Sequence, residues 1–381
     1  MTPLSHLLWQ SQRPQPVVAR LAVAGDFLPA GSISPSSGWR EAARSIAPVF
    51  EDTEISFLNL ECPLDAIGLP ARPLAGIGQI VSAESSSLDY ISSIRGKAVG
   101  IANNHAYDFG AAGVERTRAA LMARNFVPLG AGRTVHDAPE IFIWQGPAEV
   151  RIGFWAAACA SRDLATKRTA GVEPAASVRA RRAAESLRAC GANFCVALIH
   201  AGCMRASRPD PSDAALLDHI ASSGFDLVCA SHSHRISGSR IIRTNHLAPA
   251  VCFYGLGSIA SGYIASPLER EGLVVVAAFH SDASLASVEV RPVWLADSGF
   301  GQVPPPQIAR SILDSFLDLT SEISDGTSAR RFYEEVSPGV FPLYARDLRA
   351  ALRHSGLRGL ARKAARIRPR HLRRMFHGVM P

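Results

Sequence analysis

Val99-Gly100-Ile101-Ala102-Asn103-Asn104-His105-Ala106-Tyr107-Asp108-Phe109-Gly110 runs from an apolar strand into two amides, an imidazole and, three residues on, a carboxylate. Amides and imidazoles are costly to bury without partners. A strand that ends on Asn-Asn-His therefore predicts something polar at its tip, and a metal ion with a phosphate-like group beside it satisfies those residue types best.

The same event recurs along the chain. Leu21–Ala24 closes on Gly25-Asp26, Ile55–Leu60 on Glu61, Phe194–Ile199 on His200, and Phe225–Ala230 on Ser231-His232-Ser233-His234. Ligands in open α/β sheets gather where strands end, so these tips can converge on one site. Any one of them alone reads as an ordinary turn. The His-x-His pair is the strongest single signal, and the joint occurrence carries the reading.

The 381 residues, 47% hydrophobic and 19% charged, place the chain among globular proteins and exclude fibrous and disordered classes. Seven cysteines without a C-x-x-C pair read as buried thiols rather than a disulfide scaffold or a thiolate metal site. No apolar run approaches the ~20 residues that span a bilayer. Residues 1–18 read as a leader without signal-peptide character, which gives a cytoplasmic expectation.

Strands alternating with helices up to about 235, then strands at 238–242, 250–254, 272–279 and 285–294, predict an α/β sandwich of two mixed sheets flanked by helices. The domain is expected over 19–300, and a helical, Arg-rich extension over 301–381. From 345 onward ten Arg and one Lys stand against one Asp, which leaves the remainder slightly acidic. Such a tail suits an anionic membrane surface at the inner face or an acidic partner. Nucleic acid is a weaker fit, because aromatics are scarce there.

Taken together, Ala24-Gly25-Asp26, Asn59-Leu60-Glu61-Cys62-Pro63-Leu64, Ala102 to Gly110, His200-Ala201-Gly202, Gly224-Phe225-Asp226-Leu227-Val228 with His232-Ser233-His234, and Tyr254-Gly255-Leu256-Gly257-Ser258 resemble the CapA-type capsule or poly-γ-glutamate synthesis proteins. These are related to calcineurin-like metallophosphoesterases. The resemblance spans about 19–260 and implies two divalent ions, of Mn, Fe or Zn. Asp26 and His234 would hold one ion, Glu61 would take the bridging place, and Asn104, His200 and His232 would hold the other. His105 would stand free of metal beside the substrate. Asp108 is read first as the cap of the following helix and second as the group that orients His105.

The implied reaction is hydrolysis of a phosphate ester on an anionic phosphorylated or polymeric substrate. The alternative is a non-catalytic, polymer-binding component of a surface-polymer assembly system. The sequence departs from the phosphoesterase pattern in several places. Asp26 is followed by Phe27 and Leu28 in place of Asp-x-His, Ala201 stands where Trp is common, and Cys203-Met204-Arg205 replace an acidic neighbour. His-Ser-His stands for His-Pro-His, and Leu256-Gly257-Ser258 for Leu-Gly-Asn.

Overall fold

The computed structural model describes residues 4–31, 33–71, 79–159, 161, 163–243 and 249–338. In chain order its strands are β1 (His6–Gln10), β2 (Val17–Leu28), β3 (Ile55–Leu60), β4 (Gly96–Gly100), β5 (Val127–Leu129), β6 (Ala131–Arg133), β7 (Phe142–Gln145), β8 (Arg151–Ala158) and β9 (Gly171–Val172). They continue with β10 (Phe194–Ala201), β11 (Leu227–His232), β12 (Ser239–Ile242), β13 (Ala250–Phe253), β14 (Ser258–Ser261), β15 (Glu271–His280), β16 (Leu285–Leu295) and β17 (Gly301–Gln302). The α-helices are α1 (Trp39–Ala43), α2 (Leu88–Ser93), α3 (Gly110–Ala123), α4 (Ser177–Ala189), α5 (Pro211–Ser222) and α6 (Pro306–Ser324), with a further helical stretch over 328–338.

Two mixed sheets result. The larger runs β1-β16-β15-β2-β3-β4-β5, with β14 added on β2 and β17 on β16; the smaller runs β12-β13-β11-β10-β8-β7. In the larger sheet β2, β3, β4 and β5 are parallel, while β15 runs against β2 and β16 against β15. In the smaller, β8, β10, β11 and β13 are parallel, with antiparallel β7 and β12 at the edges.

Alternation along β10 shows how the layers pack. Phe194, Val196 and Leu198 enter the core between the sheets, whereas Cys195, Ala197, Ile199 and Ala201 enter a second core. Ala180, Ala183, Ala184 and Leu187 of α4 and Leu217, Ile220 and Ala221 of α5 cover that outer face. Between the sheets Phe57 meets Phe154 edge-on at 5.1 Å, and Phe194 meets Phe279 at 4.9 Å. Each such pair adds ~0.5–1.5 kcal/mol beyond its burial. Continuing the alternation of β10 puts His200 on the inter-sheet side, at the open end.

Two segments differ from the sequence reading. His6–Gln10, inside the stretch expected to be a leader, pairs antiparallel with β16. That partner lies some 280 residues away in sequence, so no local pattern announces it. The helical pattern after Pro305 does not lead away from the sheets: Ile312, Phe316 and Leu319 of α6 join the inter-sheet core, and Phe316 stacks on Phe253 at 6.2 Å. The expected basic helix from 345 onward falls outside the described residues.

Candidate metal centre

The strand tips do meet, and a bulge in β2 aims the first of them. In the β2–β3 ladder Val23 faces Phe57, and the next facing residues are Asp26 and Asn59, so three steps on β2 match two on β3. A bulge of this kind re-aims a side chain. Here it brings Asp26 level with Asn59, on the face that Phe57 presents to the second sheet. The chain turns there against β14, where the Asp26 N–H donates to the Gly257 carbonyl at 3.0 Å. Gly25 is required at this crossing, since a Cβ on it would lie 2.0 Å from that same oxygen.

Asp26 is fully buried and held on both oxygens. Asn59 Nδ2 donates to Oδ1 at 2.7 Å, and the His232 N–H donates to Oδ2 at 3.0 Å. Glu61, one residue beyond β3, is different. It is also fully buried, yet neither carboxylate oxygen has a hydrogen-bond partner among the described residues. Imidazoles surround it: His200 Nε2 at 3.4 Å and His232 Nδ1 at 3.9 Å from Oε1, and His234 Nε2 at 3.6 Å from Oε2. His234 Nδ1 lies 3.4 Å from Asp26 Oδ2 and 3.3 Å from Ser258 Oγ.

These donors fall into two groups that share Glu61. One is Glu61, His200 and His232, and the other Asp26, Glu61 and His234; within each, one ligand atom per residue lies within 4.8 Å of the others. Asn104 Oδ1 joins the first group, 2.6 Å from His200 Nε2. A buried carboxylate left without partners costs several kcal/mol, and His232 Nδ1 is orphaned in the same way. Mixed imidazole, carboxylate and amide donors suit a divalent cation such as Mn, Fe or Zn. The residues therefore fit the group that the resemblance implies.

The electrostatics mark a pocket that favours positive charge, in which a bound cation would displace the proton of His234. Burial opposes the Glu61 charge, but the neighbouring His234 and His200 imidazoles hold its carboxyl well below the usual range. Burial, helped by His200, pushes His232 down to about 4, so it is a neutral donor at pH 7. Burial disfavours the His234 cation too, but Glu61 and Asp26 outweigh it and raise the imidazole to about 9. Both residues take left-handed backbone, φ 118° at His232 and 57° at His234. Such strain, on the order of 1–3 kcal/mol per residue, is typical of functional turns.

His105 and Asp108 stand on the loop between β4 and α3, next to Asn104. His105 Nδ1 lies 2.8 Å from Asp108 Oδ2, which also accepts from the Val81 N–H at 3.1 Å. The capping expectation for Asp108 is corrected: the N-cap of α3 is Phe109, and no side chain caps that helix. The buried Asp108 carboxylate is spent on the imidazole and on the 79–83 loop instead. Asp213 of α5 is buried and accepts from the Gly202 N–H at 3.2 Å.

The sequence alone assigns no firm role to Asn59 or to Asn103. Asn59 Nδ2 bridges Asp26 to His200, whose Nδ1 is 3.3 Å away. Asn103 Nδ2 donates to Asn59 Oδ1 at 3.2 Å and to the Leu60 carbonyl at 2.7 Å, while its Oδ1 accepts from the His105 N–H at 3.1 Å. The signal for Asn59 is its amide inside a strand whose six residues are all buried.

Known proteins resemble this chain. The family described as "Bacterial capsule synthesis protein PGA_cap" matches residues 20–263. Capsule biosynthesis protein CapA of Bacillus anthracis is 24% identical over 293 residues, covering 74% of this chain and 67% of that protein. Among solved structures, a 5'-nucleotidase precursor from Thermus thermophilus aligns at TM-score 0.47 and 13% identity. That alignment covers 79% of this chain but only 58% of the nucleotidase. The calcineurin-like phosphoesterase YfkN from Bacillus subtilis aligns at TM-score 0.45 and 12% identity over 82% of this chain and 100% of that one.

Proposed function

We propose, from the premise that the chain belongs to the bacterial capsule synthesis protein family PGA_cap, that it is a metal-dependent phosphoesterase-like hydrolase. The observation that carries this reading is Glu61, buried, without a hydrogen bond on either oxygen, and common to two clusters of metal-competent side chains. Asp26, Glu61 and His234 would hold one divalent ion, and Glu61, Asn104, His200 and His232 a second.

Ions bound there supply Lewis-acid charge for an in-line displacement at phosphorus. The chain's own residues supply the rest. Asn59, donating to Asp26, keeps that carboxylate facing His234. Asp108 engages Nδ1 of His105 and so leaves Nε2 to pass a proton to the departing oxygen. The substrate is an anionic phosphorylated or polymeric molecule of capsule or poly-γ-glutamate synthesis. The basic residues from 345 onward would bring the protein to an anionic membrane surface. No helix among the described residues is long and apolar enough to cross a membrane.

One observation favours a second reading, a polymer-binding component without turnover. Phe27 and Leu28, both buried, occupy the positions after Asp26, so the Asp26, Glu61 and His234 group contains a single imidazole. Hydrolysis of an activated aryl phosphate, assayed with added Mn, separates the two. Wild type should turn over and stop on chelation, and His232→Ala should lose both metal and activity. His105→Ala should keep its metal while kcat falls ~10²–10⁴-fold. Turnover indifferent to chelation and to His232→Ala would refute the proposal.

A further inference from the structure

The helical stretch 328–338 lies beyond the residues that the family matches, yet it is fastened to the loop that follows His200 and to the turn that carries His234. Phe332 and Val336 pack on Ala206, with Cys203 and Tyr333 at the margin. The contact between the helix and the site loops is centred on one carboxylate, Glu335. Its Oε1 accepts from the Ser207 N–H at 2.9 Å and its Oε2 from the Arg208 N–H at 3.3 Å, so it closes the loop that follows His200. Arg235 Nη1, from the residue after His234, donates to Oε1 at 3.3 Å.

A single side chain thus ties the loop after β10 to the turn after β11. The remaining ties fix where that knot sits. Arg205 N–H, within the same loop, donates at 2.8 Å to the carbonyl of Ser233, the residue between His232 and His234. Glu322 of α6 takes Arg208 in a two-pronged pair, Nε at 2.6 Å and Nη2 at 2.7 Å, and Arg331 Nη1 at 2.5 Å. The helix is therefore anchored to α6, and α6 to the inter-sheet core, before Glu335 reaches the loops.

We infer that Glu335 is a positioning residue: it sets the spacing between His200 and His234, and so the fit of the two ligand groups that share Glu61. It touches neither candidate ligand and acts through Ser207, Arg208 and Arg235. This rests on the proposed metal centre, and the test keeps the two apart. Groups hydrogen-bonded directly to a ligand change metal affinity ~10–100-fold when removed, and Glu335, acting one residue further back, belongs at the low end of that range.

Mn affinity is measured on the full chain for wild type, Glu335→Ala, Glu335→Gln and Glu334→Ala, with melting of each metal-free protein as the check on folding. Glu334 is the control, an exposed neighbour that pairs with Arg330. Glu335→Ala should weaken Mn binding about tenfold and Glu335→Gln less, since the amide oxygen still accepts one backbone N–H. Glu334→Ala should match wild type. A folded Glu335→Ala protein that binds Mn like wild type overturns the inference; should Glu335→Ala not fold, wild-type affinity in Glu335→Gln at both ions does so. Wild type that binds no metal overturns the proposed centre instead.

Discussion

Glu271 is a half-buried carboxyl at the start of β15, and burial raises it to about 7 against the opposing charge of Arg235. The sign of its contribution follows from the two states. Below the ordinary value of 4.5 both the folded and the unfolded chain hold the proton, and Glu271 is neutral to stability. Between 4.5 and 7 the unfolded chain releases it while the fold retains it, so stability falls as pH rises. Above 7 the full penalty is present. The melting midpoint of Glu271→Gln relative to wild type should therefore rise between about pH 5 and about pH 8; a difference that stays flat across that window contradicts this. Residues of this kind were the least legible in the sequence. Asp26, Glu61, His200, His232 and His234 could be read because each ends an apolar run. Asn59 could not, because its role depends on neighbours brought in from other strands; the pairing of Asp108 with His105 was legible only as the second alternative, since the same spacing also suits a helix cap.

At the scale of elements, the crossing of β2 and β14 does most to aim the site. The bulge in β2 turns Asp26 toward the second sheet, and Gly25 lets the Gly257 carbonyl come close enough to hold the Asp26 N–H. Gly25→Ala would force that carbonyl away. Overpacking of this type costs roughly 1–3 kcal/mol, and the displaced backbone should also blunt metal binding. Thermal melting and Mn titration of the variant check both effects; an unchanged midpoint with unchanged affinity would show that the crossing is soft. The elements themselves were mostly readable. Alternation in β10 and continuous burial in β3 follow from which faces they cover. The antiparallel pair β7–β8 follows from the Gly146-Pro147 turn, and α4 and α5 from their position between strands. What local pattern lacked was long-range pairing: β1 on β16, β14 on β2, and α6 across the sheet edges.

For the whole molecule, the two sheets act as a clamp whose open end carries every proposed ligand. A cation seated on Glu61 would join β3 of one sheet to β10 and β11 of the other. Ligands that bind only the folded state stabilise it by about 2.7 kcal/mol at a hundred times their dissociation constant. Stripping metal should accordingly lower the melting midpoint by several degrees, and adding Mn back should restore it. The same clamp explains how sequence could point to a centre without revealing its surroundings: strand tips are local features, whereas the helix at 328–338 reaches the site only through the finished fold.

If Glu61 is shared by two bound cations, metal analysis of the full chain purified without chelator will show it. Wild type should carry two equivalents of divalent transition metal, after loading with Mn if purification depletes them. Glu61→Gln, folded and loaded in parallel, should carry one or none. Wild type that holds no transition metal even after loading, or a Glu61→Gln protein that still holds two equivalents, would contradict the account.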